Sequence, residues 1–173
     1  MKIIINEFMD TSSKTPDWTR EYKKFFSWEP SRSLLSCIRD YQRFSISNNL
    51  FKQILLKKVA VIRYHFWSAV TGAEIPLNCT IGGGLLIPHP NGIVIHPDAT
   101  IGPNCLIFQQ VTIGTKGEIG LPQIGGHVDI GAGAKILGNV KIGDHACIGA
   151  NAVVLHDVPD GKTAVGIPAR IID

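Results

Sequence analysis

Aliphatic residues, nearly all isoleucine, recur every sixth position between residues 73 and 158. The thirteen positions in phase are Ile75, Ile81, Ile87, Ile95, Ile101, Ile107, Ile113, Ile124, Ile130, Ile136, Ile142, Ile148 and Val154. A six-residue period matches neither a helix nor an alternating strand. It is typical of a β-solenoid, in which each short strand points one aliphatic side chain inward before a turn. With three units to a coil, the pattern predicts slightly more than four coils.

Two interruptions of the repeat are candidates for functional loops. Between Ile87 and Ile95 the spacing is eight residues instead of six, and the added pair lies around His89. After Ile113 the next spacing is eleven, which ejects residues 114–123 as an excursion loop. Loops that leave a rigid scaffold are a usual position for binding and catalytic residues.

The hydrophobic spacing before the solenoid is helical. It predicts one helix from Trp18 to about Trp28, a second after Pro30 and a third from about residue 50 to residue 70. The predicted domains are a helical N-terminal region (residues 1–72), the solenoid with its excursion loop (73–158) and a C-terminal tail that folds back along the last coils (159–173).

The helical region is also basic and aromatic. Residues 1–70 hold 12 Lys and Arg against 6 Asp and Glu, and 12 of the 13 aromatic residues precede residue 68. One interpretation is a cap over the open end of the solenoid, since an exposed β edge needs cover. Another, compatible with it, is that Lys57, Lys58, Arg63 and Trp67 meet an anionic or lipid-linked substrate at a membrane surface. Nucleic acid is disfavoured as a partner, because the charge excess is modest and no binding motif is present.

The cysteines indicate a reducing compartment. Of Cys37, Cys79, Cys105 and Cys147, the last three occupy or adjoin repeat positions that elsewhere take Ala or Val, so we expect small buried apolar residues there. No CxxC spacing occurs, and no disulfide framework is implied. The apolar start of the chain is too short for a signal peptide, and no run of eighteen apolar residues could span a membrane. We therefore expect a cytoplasmic protein, peripheral to the inner face of the membrane if the surface contact exists.

His89 is the strongest candidate for chemistry. It stands in the first interruption between Pro88 and Pro90, whose fixed φ angles stiffen the backbone. A histidine in a structured loop suits general-base catalysis, and Glu74, fifteen residues earlier, would lie close to one coil away and could orient its ring. The alternative is a surface histidine in a turn.

A second histidine pair is more simply explained without chemistry. His127 and His145 are eighteen residues apart, so they should stack on one face of the solenoid. A metal between subunits would need a third ligand, which the sequence does not supply, so no metal is expected. A metal-dependent solenoid hydratase is disfavoured for the same reason.

Five segments resemble the serine acetyltransferase branch of the hexapeptide-repeat acyltransferases. They are HPNGIVI (89–95), QVTIG (110–114), IGAGAKILGN (130–139), IGANAVVL (148–155) and GIPAR (166–170). The resemblance implies a mainly β fold, a left-handed parallel β-helix of about four coils with an N-terminal α-helical cap. It also implies a homotrimer with active sites between subunits, and direct acetyl transfer from acetyl-CoA to a hydroxyl.

The resemblance also assigns roles to individual residues. His89 matches the general base, and Glu74 matches its acidic partner, where the serine enzymes have Asp. The positions that match the acetyl-CoA site are backbone groups near Gly114, Ala132 and Ala150, which line the pantetheine groove, and Lys162 and Arg170, expected partners of the CoA phosphates.

Two departures from the branch concern the acceptor. Serine acetyltransferases place Asp before the catalytic histidine to bind the ammonium, where this chain has Pro88, and Arg-His-Pro in the excursion loop, where it has Gly120-Leu121-Pro122. Losing both counter-charges should reduce recognition of serine on the order of 10³-fold. We therefore expect a hydroxyl of a sugar or polysaccharide precursor, as in the capsule and exopolysaccharide O-acetyltransferases of the branch. The alternatives are a serine O-acetyltransferase of cysteine biosynthesis and a non-catalytic scaffold solenoid.

Overall fold

The computed structural model describes residues 11–24, 27–46, 50–117 and 120–172, without the side chains of residues 50–52. A short 3₁₀ helix and two α-helices precede the solenoid: Trp18–Glu21, α1 (Pro30–Ser45) and α2 (Leu50–Thr71). Pro30 occupies the first turn of α1, where a missing N–H has no helical partner to lose. Leu34, Leu35 and Ile38 on one face of α1 are buried in the same hydrophobic core as the solenoid. This helix therefore caps the first coil.

The predicted helix from Trp18 to Trp28 is wrong. In its described residues, 18–24 and 27–28, a single 3₁₀ turn forms, capped by the side chain of Asp17, and the chain is extended again at Tyr22. Phe25 and Phe26, which belong to the prediction, lie outside the described residues. Trp18, Tyr22 and Trp28 are all more than half exposed. Without a buried face, a segment this short does not hold a longer helix.

Within the described residues, thirteen short strands form the solenoid and the C-terminal tail. They are β1 (Thr80–Ile81), β2 (Val94–Ile95), β3 (Thr100–Ile101), β4 (Leu106–Ile107), β5 (Thr112–Gly114), β6 (Gln123–Ile124), β7 (Asp129–Ile130), β8 (Lys135–Leu137), β9 (Lys141–Ile142), β10 (Cys147–Ile148), β11 (Val153–Val154), β12 (Thr163–Gly166) and β13 (Ala169–Ile172).

From β1 to β12, successive strands belong to different sheets, so each coil is triangular in section. Sheet A contains β2, β5, β8 and β11, sheet B contains β1, β3, β6 and β9, and sheet C contains β4, β7, β10, β12 and β13. Neighbouring strands are parallel and in register, so Ile113 lies between Ile95 and Ile136 in the core. Only β13 is antiparallel, and it folds back along β12 as predicted for the tail. The expected left-handed parallel β-helix of about four coils with an N-terminal helical cap is confirmed.

Residues 11–21, which we call the N-terminal strap, run along the corner between sheets B and C. Asn104 is buried at this corner and has a φ of 61°. Its Oδ1 accepts a hydrogen bond from the backbone N–H of Asp17 at 2.7 Å. Its Nδ2 donates to the carbonyls of Ser12 at 2.7 Å and Thr15 at 2.8 Å. One side chain of the solenoid thus satisfies three backbone groups of the strap.

The strap continues past Asn104 to later coils. At Gly126 it lies so close that a Cβ atom would come within 1.8 Å of the Ser13 carbonyl oxygen. Lys14 forms an ion pair with Asp144, and its hydrogen bond holds the pKa of this carboxyl below the usual value. The strap therefore links successive coils along one corner, a connection that the sequence pattern did not predict.

In the part of the chain that the structure describes, no helix combines the length and apolarity needed to cross a membrane. The surface contact suggested for the basic helical region stays a prediction. Arg63, one of the residues invoked for it, pairs with Asp40 on α1 at 2.7 Å. Lys57 lies over the Tyr41 ring, 4.6 Å from its centroid.

Candidate active site

The first interruption of the repeat lies at the corner between sheets C and A. Coils are joined at this corner by a ladder of backbone hydrogen bonds, in which the Asn91 carbonyl accepts from Gln110 N–H at 3.0 Å and the Gln109 carbonyl accepts from Gly133 N–H at 2.8 Å. Asn91 and Gln109 therefore occupy equivalent positions in successive coils. The added residues fall before Asn91, and His89 projects from them with an exposed side chain.

The His89 ring has one ring contact in the described structure. It stacks on Phe108 in the next coil, with the centroids 6.4 Å apart and the planes inclined by 28°. No hydrogen bond joins His89 to a side chain within the described ranges. The imidazole therefore has both nitrogens available for an acceptor hydroxyl and an orienting group.

Glu74 lies beside sheet A, one coil before the strand β2. Its backbone N–H donates to the Ile93 carbonyl at 2.8 Å, it forms a bridge with Val94, and its side chain is exposed. The two side chains are on the same end of the solenoid, but no hydrogen bond between Glu74 and His89 is found among the described residues. The acid–base pair stays a prediction.

Ala132 and Ala150 stack at the same corner as His89, and we call this part of the corner the alanine corner. The Ala132 carbonyl accepts from Asn151 N–H at 2.8 Å, which repeats the ladder one coil further along. Both positions carry only a methyl group, so the corner is hollowed beyond Gln109. Gly114 lies elsewhere, at the opposite edge of sheet A where the excursion loop begins. A single chain therefore does not bring Gly114 together with the two alanines.

The two predicted phosphate-binding residues lie at opposite edges of the last coil. Arg170 is exposed on β13 and is paired with Val165, whose side chain lies next to Gly149 on the side of Ala150. Lys162 precedes β12 and lies at the other edge of sheet C. Within one chain, Arg170 shares the alanine corner and Lys162 does not.

A surface depression of about 590 Å³ lies far from His89, along the outer face of sheet B. Lys14, Asp144, Asp157 and Asp160 are among its lining residues. It contains none of the predicted site residues. We give greater weight to the corner with His89, since the repeat is interrupted there.

The buried cysteines are poor nucleophiles. Burial raises the pKa of the Cys79 thiol and of the Cys105 thiol to about 12, so both are protonated near neutral pH. Cys105 Sγ also donates to the Gly125 carbonyl at 3.2 Å. Cys79 and Cys105 act as small core residues, as their repeat positions predicted. Cys147, also expected to be buried, is exposed on β10, because it precedes the inward-pointing Ile148.

The predicted stacking of His127 and His145 is confirmed. Their Nδ1 atoms are 2.9 Å apart, and burial, followed by the charge of His145, lowers the pKa of His127. Within the ranges described, no three His, Cys, Asp or Glu side chains are grouped as metal ligands would be.

Sequence reasoning missed Gln109. Its side-chain Oε1 is buried and has no hydrogen-bond partner in the described structure. The sequence did contain a signal: Gln109 is a long polar residue at the repeat position where the next two coils have Ala132 and Ala150.

Comparison with known proteins agrees with the fold. Residues 122–156 match the family described as bacterial transferase hexapeptide (six repeats). A serine acetyltransferase of Staphylococcus aureus is 40% identical over 165 residues, covering 88% of this chain and 76% of that protein. A serine acetyltransferase of Synechococcus elongatus is 45% identical over 111 residues, covering 62% of this chain and 46% of that protein. The chain thus spans less than half of the Synechococcus relative.

A solved structure, a serine acetyltransferase in complex with CoA, superimposes with a TM-score of 0.69 at 34% identity. The match covers 84% of this chain and 58% of that one.

The expectation of a sugar hydroxyl as acceptor is wrong. Relatives with 40% to 50% identity are named serine acetyltransferases, and so are the similar solved structures. Pro88 and Leu121 are two loop positions, and the similarity to these relatives extends over most of the chain. Loops tolerate substitution, and counter-charges for a small zwitterion can come from other positions around a site.

Proposed function

Because the chain belongs to the serine acetyltransferase family of hexapeptide-repeat acyltransferases, we propose that it transfers the acetyl group of acetyl-CoA to the hydroxyl of L-serine. The observation that carries this proposal is the 40% identity to the Staphylococcus aureus enzyme over 88% of the chain. A match of that extent includes much of the helical region as well as the solenoid. Hexapeptide repeats alone would leave the acceptor open.

The active unit is a homotrimer with its sites between subunits. Ala132 and Ala150 lie at one edge of sheet A and Gly114 lies at the other. A groove that uses all three positions needs the alanine corner of one subunit against the excursion-loop edge of the next. Supporting this arrangement, the His89 corner is open in the single chain.

In the reaction, His89 Nε2 removes the proton of the serine hydroxyl as the oxygen attacks the thioester carbonyl. A backbone N–H near Gly114 stabilises the developing oxyanion. The tetrahedral intermediate then expels the CoA thiolate, which takes the proton from the imidazolium. Glu74 would fix the histidine tautomer and stabilise the positive ring. The transfer is direct, and the protonated state of the buried thiols of Cys79 and Cys105 supports the absence of an acyl-enzyme.

The test is CoA release from acetyl-CoA with L-serine as acceptor. We expect saturable release that depends on serine and produces O-acetylserine, identified by mass spectrometry. The blank without acceptor corrects for hydrolysis of the thioester, and a neutral hexose in place of serine tests the choice of acceptor. Purified protein that binds acetyl-CoA yet shows no release above the blank with serine would refute the proposal.

Removing the cation at Arg170 should weaken binding of the CoA phosphates. Because the side chain is exposed, each pairing is worth about 1 kcal/mol or less, so Arg170→Ala should raise the KM for acetyl-CoA roughly two- to five-fold. Lys162→Ala should act similarly only if a neighbouring subunit brings Lys162 to the groove. The KM for L-serine should not change. Unchanged KM for acetyl-CoA at low salt in both variants would exclude these residues from the phosphate site.

A further inference from the structure

A polar group at the candidate site is left without a partner by the chain itself. The Oε1 atom of Gln109 is buried and accepts no hydrogen bond from any residue within the described ranges. Buried acceptors in native proteins nearly always have a partner, so an unpaired one calls for an explanation. The adjacent Gln110 is different, because its Nε2 donates to Asn91 Oδ1 at 3.1 Å.

Gln109 stands at the end of the alanine corner that is nearest to His89. Its carbonyl accepts from Gly133 N–H at 2.8 Å, just as the Ala132 carbonyl accepts from Asn151 N–H at 2.8 Å. The two residues are therefore equivalent, but one carries a carboxamide where the other carries a methyl group. Phe108, the preceding residue, stacks on the His89 ring. The carboxamide of Gln109 thus lies one coil from the general base.

The chemistry of the carboxamide selects its ligand. A side-chain amide offers an acceptor oxygen and a donor nitrogen side by side. The unpaired Oε1 needs a donor, so the thioester carbonyl does not fit it. The serine ammonium and the amide N–H groups of the pantetheine arm both donate, but only the pantetheine arm runs along Ala132 and Ala150, in line with Gln109. Two methylene groups separate the first of these amides from the thioester sulfur. The distance from the thioester sulfur to this amide nitrogen is therefore comparable to the spacing of about 4.8 Å between neighbouring coils. An amide bound at Gln109 would thus place the thioester one coil away, beside His89.

We propose that Gln109 binds the first pantetheine amide of acetyl-CoA, with Oε1 accepting from the amide N–H. This contact fixes the thioester beside His89 and makes Gln109 a specificity-determining residue for the acyl donor. The inference rests on the proposed function, since it places acetyl-CoA in the groove along Ala132 and Ala150.

Truncated donors test the contact directly. S-Acetyl-N-acetylcysteamine keeps the first amide of the arm, and S-pentyl thioacetate has the same chain length without it. The wild-type protein should prefer the amide donor by about tenfold in kcat/KM, the contribution of one buried hydrogen bond. Gln109→Met should bring this ratio close to one, with the KM for L-serine unchanged. Gln110→Met is the matched control and should keep the preference.

Three outcomes would overturn the inference. The first is a donor ratio that is unchanged in Gln109→Met. The second is a raised KM for L-serine in this variant in place of the lost donor preference. The third is a changed molar mass of this variant in light scattering, which would make Gln109 a contact between subunits. If the wild-type protein transfers nothing to serine, the proposed function fails by itself. Calorimetry with acetyl-CoA then tests the contact separately: about tenfold weaker binding by Gln109→Met supports it, and equal binding refutes it.

Discussion

Replacing His89 with alanine should lower kcat for serine acetylation by roughly 10²- to 10⁴-fold, the usual contribution of a general base. The side chain is exposed in an interruption of the repeat and its recorded ring contact is with Phe108, so its loss should leave the core unaffected. The KM for acetyl-CoA should change little. Steady-state CoA release measures both quantities, and thermal unfolding checks that the variant is folded.

A second histidine provides the control for this experiment. His156 is also exposed in the solenoid, just after β11. His156→Ala should keep wild-type turnover, and added imidazole should restore part of the lost rate only in His89→Ala. Wild-type turnover in the His89 variant would remove this residue from the mechanism.

Asn104→Ala should destabilise the protein by roughly 4 kcal/mol, because three backbone groups of the strap lose their partner at about 1 kcal/mol each and alanine at the left-handed φ of 61° costs about 1 kcal/mol more. The strap should then detach before the solenoid unfolds, since the core isoleucines are not touched. Urea unfolding measures the loss of stability. Trypsin should cleave after Lys14 and Arg20 faster than in the wild-type protein.

Asn151→Ala separates the hydrogen bonds from the backbone conformation. Asn151 has a φ of 58°, close to the 61° of Asn104, but its side chain is exposed. Alanine should cost about 1 kcal/mol there, from the left-handed conformation alone. Equal destabilisation by the two substitutions would mean that the strap contributes nothing to stability.

The solenoid was predictable because one physical requirement recurs in every unit. Each strand must point a single aliphatic side chain inward, so the phase of residues such as Ile113 and Ile136 is visible without any contact information. The same phase makes its own exceptions visible. The added residues around His89 are recognisable in the sequence as a candidate site, and the structure places them at the corner between sheets C and A.

The strap was not predictable for the opposite reason. Ser12 and Asn104 are 92 residues apart, and nothing local marks either one as a partner. A left-handed Asn is not distinctive, because His127 and His145 adopt the same conformation at the equivalent positions of later coils, and Gln110 does so at another corner. The helix expected from Trp18 failed for a related cause, since its aromatic spacing was helical but no buried face was available.

The acceptor was mispredicted because charge was judged at two positions only. Recognition of a small zwitterion depends on groups that converge in space from several elements and, in a site between subunits, from two chains. Pro88 and Leu121 show which counter-charges this chain lacks and not which ones it has. Gln109 illustrates the complementary case, in which one unpaired atom supports a proposed binding contact that residue type alone did not suggest.

The strap also constrains the order in which a newly made chain becomes complete. Asp17 finds its partner 87 residues later, and Lys14 pairs with a residue of the fourth coil. During synthesis the strap must wait until those coils have emerged, while the coils themselves can form in sequence from neighbouring contacts. The strap is thus made before these coils but set in place after them, and a chain truncated before Asp144 would emerge with residues 11–14 of the strap unattached at that end.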